Sequence, residues 1–458
     1  RAHVGLVRRT TGFRAFGRIA TFYSDHRDGR CAGPRSVTAT GYALAMSKGS
    51  AAPLRDAYDV VVAGASFAGL VAAIEASRVG ARVAVVDPIP IGEGQTSACA
   101  TTLGALDALG AREVVQQVHH ELVVHLLPRG ARTPRTLAYR LPYRWATFDY
   151  RALCRVLAAR GAAQGVEFVR ARVTGGSATE VRTDRGPIGA TIAIDAGGWR
   201  APLAGSLNPL HVRRDQLSCG LEAEVPQPSA ALASGLHFWA GRGTVWPGYA
   251  WAFPAGPSTR VGILAFAEAG GDAATQTPSR NLRPALDTFM DGPAAEWWSP
   301  DGNASWEESR GRHAVAPTRA SVMGAPMHLH GGFIPCAPRS PVVGGVLCVG
   351  DAAGHCFGLT AEGIRAALTF AARAGQIAGG AVSGRWDAAE ARAMYWRFAT
   401  GRWPYLALMR LLQRVVAWLP DAGLAAYAGA AQPWPIFWFL MAQYRWAADP
   451  VPVLARPV

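Results

Sequence analysis

The chain has 458 residues, more than one hydrophobic core usually serves (about 250–300), so more than one structural unit is expected. Half of its residues are hydrophobic and 17% are charged, which excludes a globally disordered chain. The net charge of +14 is carried by arginine, with Lys48 the lone lysine; no dense basic run occurs beyond Arg8–Arg9 and Arg213–Arg214, so no nucleic-acid partner is expected.

Residues 1–56 carry no apolar segment of the kind a secretory signal needs, and Met46 falls just before the first predicted strand. They are expected to form an N-terminal extension without ordered structure. The seven cysteines include no CxxC pair, which speaks against zinc and disulfides and for reduced thiols in the cytoplasm. The histidines show no ligand spacing such as HExxH, so no metal is expected.

Tyr58–Ala63 reads as a buried strand, Phe67–Val79 as a helix and Arg82–Asp87 as a second strand, together a parallel βαβ unit. A helix is predicted over Phe148–Gly161, with strands over Phe168–Val173 and Ala190–Asp195. Residues 207–338 are rich in Trp, Pro and Gly and contain alternating runs such as Tyr249–Leu264, the pattern of an antiparallel sheet. Gly345–Gly350 is again a buried strand, followed by a helix over Glu362–Ala378. The expected fold class is therefore α/β. A Rossmann-type domain (57–206, resumed at 339–386) is interrupted by an antiparallel-sheet substrate domain (207–338). A helical, aromatic-rich region (387–458) follows.

Three motifs carry the chemistry. Between the first strand and helix stands Gly64-Ala65-Ser66-Phe67-Ala68-Gly69. Gly64 permits the turn, the small Ser66 and Ala68 let backbone approach a pyrophosphate, and Gly69 lets the helix pack close to the strand. The helix N-terminus then faces the phosphates, and Asp87, ending the next strand, is placed for a ribose. The second motif runs from Gly350-Asp351 through Gly358, Thr360, Gly363 and Ile364, again between a strand and a helix. The third is Tyr249-x-Trp251-x-Phe253-Pro254 with Gly262 downstream; strand alternation puts the three aromatics on one face.

On the first two motifs the chain resembles FAD-dependent oxidoreductases of the p-hydroxybenzoate hydroxylase fold, and on the third the geranylgeranyl reductase family. The resemblance implies non-covalent FAD, with Asp351 at its ribityl chain and Asp195, in Asp195-Ala196-Gly197-Gly198, near the pyrophosphate. It implies NAD(P)H or another reductant as electron donor. It also implies a lipophilic substrate whose isoprenoid double bonds are saturated beside Tyr249, Trp251, Phe253, Pro254 and Gly262. In that family a cysteine often follows the second strand, and Cys99 is the candidate here; Cys99, Tyr249 and Trp251 are the expected catalytic residues. A flavin monooxygenase of a lipophilic or aromatic compound and a flavin-assisted carotenoid cyclase are the alternatives. Ala201, where hydroxylases of this fold usually carry serine, tilts the resemblance away from hydroxylation.

No apolar run is long enough to cross a bilayer; Pro435–Met441 comes nearest. In the tail, however, Trp396, Phe398, Trp403, Tyr405, Leu408 and Leu411 alternate with Arg397, Arg402, Arg410 and Arg414. This is the composition of a helix lying on an anionic membrane surface, so either a peripheral membrane contact or an ordinary helical cap over the substrate tunnel is expected.

Overall fold

A computed structural model describes residues 55–95, 97–226, 234–267, 282–293 and 329–450. Nearly all of the expected N-terminal extension lies outside the described residues.

The βαβ unit forms where expected: Ala57–Ala63 pairs in parallel with Val83–Asp87, and Phe67–Ser77 is the helix between them. Every residue of that helix is buried, as its Ala-rich, nearly uncharged sequence requires. The first sheet has the order Val342–Val343, Val346–Cys348, Gly186–Asp195, Ala57–Ala63, Val83–Asp87, Glu167–Arg170. A small hairpin of Val173–Gly176 and Glu180–Thr183 joins at Gly186–Asp195. The chain that left the sheet at Asp195 thus re-enters beside it: Cys348 pairs with Asp195 in parallel. The helix Ile364–Val382 packs on Phe67–Ser77 so closely that a Cβ on Gly375 would lie 2.2 Å from the Ala72 carbonyl oxygen.

The second sheet has the order Leu329–Pro335, Leu217–Pro226, Ser258–Ala265, Gly248–Ala255, Leu236–Ala240, Val115–Leu126, Arg135–Phe148, Ala100–Thr102. It differs from the expectation in two ways. Three of its strands come from residues 100–148, within the stretch assigned to the Rossmann-type domain. It is also not wholly antiparallel, because Leu236–Ala240 runs parallel to Leu122–Leu126. The long Val115–Phe148 hairpin leaves the first sheet after Asp87 and returns through the helix Tyr150–Ala163. No strand was expected in this stretch from the sequence.

One face of the second sheet is covered by the helix Arg283–Asp291, whose Leu286, Phe289 and Met290 pack with Trp239, Ala250, Val261 and Ile263. The opposite face looks toward the first sheet across a cavity of about 1260 Å³. The helices Trp403–Trp418, Asp421–Ala431 and Trp434–Ala448 close over it. They are fastened to the second sheet by Tyr139 and Tyr143, whose hydroxyls donate to the carbonyls of Ala428 (2.8 Å) and Met441 (3.0 Å).

Candidate active site

The cavity begins at the glycine loop. Gly64 has φ +104°, and a Cβ there would lie 2.3 Å from the Ala196 oxygen; one on Gly69 would lie 1.9 Å from the Gly64 oxygen. Neither position accepts a side chain. Gly64, Ser66 and Ala68 line the cavity; Gly69 stands behind them and sets the helix against its strand. No side chain caps this helix. Its first N–H groups and the positive end of its dipole are therefore left for an anion. Asp87 also lines the cavity, but it is tied to the loop: its carboxylate accepts from Ala65 N (2.8 Å) and Ile89 N (2.9 Å).

Asp195 is corrected from cofactor contact to loop anchor. It is fully buried and does not line the cavity. It accepts from the backbone N–H groups of Gly197 (3.0 Å), Leu203 (2.9 Å) and Ala204 (2.9 Å). That fixes the turn whose Ala196, Gly197 and Gly198 do line it. Burial still pushes its carboxyl up to about 6. The second motif presents Gly350, Asp351, Thr360, Gly363 and Ile364 to the same cavity. Asp351 takes no side-chain hydrogen bond from the described residues; desolvation raises it to about 6 although Arg339 pulls the other way. At the start of the helix Ile364–Val382 Gly363 offers no side chain, and the Glu362 carboxylate accepts from Arg365 N (3.0 Å). Gly358 does not reach the cavity: a Cβ on it would lie 3.1 Å from the Arg410 Cα, so it is a packing glycine.

These features fit FAD. An acceptor without a donor at Asp351, an uncapped helix start at the first loop and a glycine turn too tight for side chains are what a dinucleotide with ribityl hydroxyls would satisfy. Arg339, which sequence reasoning missed, joins the turn after Asp195 to the second motif by donating to Trp199 O (2.9 Å) and Asp351 O (3.3 Å).

The third motif forms the facing wall. The rings of Tyr249, Trp251 and Phe253 follow one another at 6.1 and 6.2 Å, with Phe238 set edge-on to Tyr249 and Phe253 at 5.5 and 5.1 Å. Tyr249 donates its hydroxyl to the Thr360 carbonyl, joining the wall to the second cofactor loop. Thr360 Oγ1 is 2.9 Å from the Tyr444 hydroxyl, which donates to Glu362 (3.0 Å), so the last helix is pinned to that loop as well. Pro254 and Gly262 are corrected from substrate contacts to supports, since neither lines the cavity. Pro254 O accepts from Thr147, and Gly262 makes room for the Trp251 indole. Cys99 lines the cavity at φ +52°, but its thiol donates to Ser97 O (3.1 Å) and burial pushes it to about 12, so it is protonated at neutral pH. Glu222, buried beside Trp251, is a cavity residue that sequence reasoning passed over.

The family of FAD dependent oxidoreductases matches residues 59–202. No curated protein matches the sequence. Among solved structures, the chain is similar to a geranylgeranyl bacteriochlorophyll reductase-like protein from Thermoplasma acidophilum, at 19% identity over 80% of this chain and 89% of that one, with a TM-score of 0.63. It is also similar to PqsL from Pseudomonas aeruginosa, solved with 2-aminobenzoylacetate (16% identity, 79% of this chain and 97% of that one, TM-score 0.55). A third is the flavin-dependent brominase Bmp2 (14%, 82% and 98%, TM-score 0.54). Likeness at these identities establishes a shared fold.

Proposed function

We propose that this FAD-dependent oxidoreductase saturates carbon–carbon double bonds of an isoprenoid or other lipophilic substrate. One observation carries the reading: beyond the cofactor loops the cavity continues as an apolar chamber. It is walled by Leu122, Val124, Phe238 and Trp251 on the sheet side and roofed by Met409 and Leu424 on the helix side. The whole cavity, cofactor space and chamber together, measures about 1260 Å³, above the 300–1,000 Å³ of a site for one small ligand. Bound FAD, reduced by NAD(P)H or another donor, would supply a hydride equivalent. The residues of the chain position the alkene, exclude water through the aromatic wall and deliver a proton.

The chamber also suggests where the substrate comes from. Leu408, Phe439 and Leu440 line the cavity and are exposed on the outer face of the helical region. Leu411, Trp418, Trp438 and Trp446 of the same helices are exposed as well. No described helix is long and apolar enough to cross a membrane. Exposed apolar side chains together with exposed Arg397, Arg414 and Arg445 suit the surface of an anionic bilayer, from which a lipid could enter without crossing water.

Product analysis tests the reaction. Under anaerobic conditions with chemically reduced flavin and a polyprenyl substrate, the product should gain two hydrogens and no oxygen. A product carrying a new hydroxyl, formed only with oxygen, replaces this reading by monooxygenation; an isomer of unchanged formula replaces it by cyclisation.

A further inference from the structure

Among the described second-sheet residues that line the cavity, Glu222 is the one carboxylic acid. Its place follows from strand register. Glu222 pairs with Gly262 on the next strand, and Gly262 with Trp251 on the strand after that, so the three form one row on the cavity face. With no side chain at Gly262, the Trp251 indole reaches across and donates to Glu222 Oε2 at 3.0 Å. The row continues through Phe238 and Val124, which are apolar. The acid therefore sits at one polar corner of an otherwise greasy wall.

The other carboxyl oxygen, Oε1, is buried and has no partner among the described residues. A buried carboxylate with an unanswered oxygen is costly. A neutral carboxyl costs less, because Oε1 then carries a proton in place of an unanswered charge. The neighbours agree. Arg260, two residues from Gly262 on the same strand, favours the charged form, but its guanidinium is committed to Ala98 O (3.4 Å), Gln116 Oε1 (3.1 Å) and Phe148 O (3.1 Å). Glu224, two residues along Glu222's own strand, opposes the charge. Cys99 stands beside Arg260 as a protonated thiol, and His330 pairs with Glu222 on the outer strand. Desolvation prevails and raises the Glu222 carboxyl to about 7.

We propose that Glu222 is the proton donor of the reduction, delivering its Oε1 proton to the substrate carbon that does not receive the hydride equivalent. The inference rests on the double-bond reading given above. As one alkene carbon takes the hydride equivalent, the π electron pair forms a C–H bond at the other and the Oε1–H bond breaks. Glu222 is left as a carboxylate, held by the Trp251 N–H and the nearby charge of Arg260, and regains its proton from water.

Two measurements on the full-length protein decide it. Difference infrared spectroscopy should show the carbonyl band of a protonated carboxylic acid that fades as pH rises through about 7 and is missing from Glu222→Gln. Glutamine keeps an acceptor for Trp251 but carries no acidic proton. Glu222→Gln should therefore retain bound FAD and substrate, yet reduce the alkene on the order of 10²–10⁴-fold more slowly, the usual worth of a general acid. Glu222→Asp should recover part of the rate. No titrating band, or a Glu222→Gln enzyme as fast as the parent, overturns the proposal while the product still gains two hydrogens. An oxygenated product instead overturns the double-bond reading, and the proton-donor role with it, whatever the infrared band shows.

Discussion

Gly262 faces Trp251 across a strand pair, and a Cβ built on it would lie 2.2 Å from the indole ring. The glycine is what lets the indole lie flat on the neighbouring strand and reach Glu222. Gly262→Ala should thus cost about 1–3 kcal/mol, as other overpacked sites do, and break the Trp251–Glu222 hydrogen bond. A denaturant midpoint measures the first effect. The second should appear as a shifted acid titration of Glu222 in the infrared. An alanine variant with unchanged stability and titration would show that the indole has another place to go.

Gly69→Ala should yield protein without flavin. The added Cβ would lie 1.9 Å from the Gly64 oxygen, so the helix start must move off the strand and take the phosphate-facing N–H groups with it. Ser66→Gly should keep its flavin, because Ser66 caps nothing and its hydroxyl only receives the Tyr150 hydroxyl at 3.2 Å. Flavin absorbance of the purified proteins separates the two outcomes.

That pair of variants also marks what the sequence could and could not disclose. The turn at Gly64, the helix after it and the strand ending at Asp87 are local features, written in consecutive residues, and they form as read. The aromatic wall was legible for the same reason, since alternation within one strand fixes which side chains share a face. Glu222 was not. Its strand, Leu217–Pro226, reads as an alternating run like its neighbours, and only the register across Gly262 brings the carboxyl to Trp251. Asp195 was misread for a related reason: an aspartate before a glycine turn can face a cofactor or cap the turn itself. The backbone N–H groups of Leu203 and Ala204, supplied by the following short helix, decide for the second.

FAD affinity should rise with pH through about 6 and level off above it. Asp351 has its carboxyl raised by desolvation with no donor to hold the charge. Cofactor hydroxyls would donate best to the ionised form, so protonation competes with binding. Folding stability without cofactor runs in the opposite sense. The native carboxyl holds its proton more tightly than the unfolded one, whose value is 3.8, so acidification from about 6 toward 4 stabilises the cofactor-free fold. Asp351→Ala should weaken FAD by roughly twofold to tenfold for each hydrogen bond lost, at about 0.5–1.5 kcal/mol apiece, and flatten the pH profile. Fluorescence titrations of FAD on either side of pH 6 check both statements; an unchanged profile in the variant would remove Asp351 from the cofactor site.

Membrane association should depend on the outer face of the helical region and not on the residues that the tail's composition alone singles out. Arg410, interleaved with aromatics in the sequence, is buried, with its guanidinium donating to Gln413. Trp403 is partly buried, and its indole lies tilted against Trp396 with ring centroids 6.0 Å apart. Changing Arg410 disturbs packing against Gly358 in the second motif, and changing Trp403 removes its contact with Trp396. Trp418 and Trp446, at 83% and 73% exposure, are the better probes, because removing them exposes nothing and opens no cavity. Arg397 and Arg414, also exposed, supply the attraction to anionic headgroups, about 1 kcal/mol per arginine close to the surface. In liposome flotation the protein should bind vesicles rich in phosphatidylserine and leave neutral ones. Added salt should release it as charges become screened over about 8–10 Å. Trp418→Ala with Trp446→Ala should weaken binding while flavin content and thermal stability stay as they were. If the double variant floats like the parent, or the parent ignores anionic vesicles at low salt, the exposed aromatics do not meet a bilayer, and the substrate must reach Leu408 and Phe439 by another carrier.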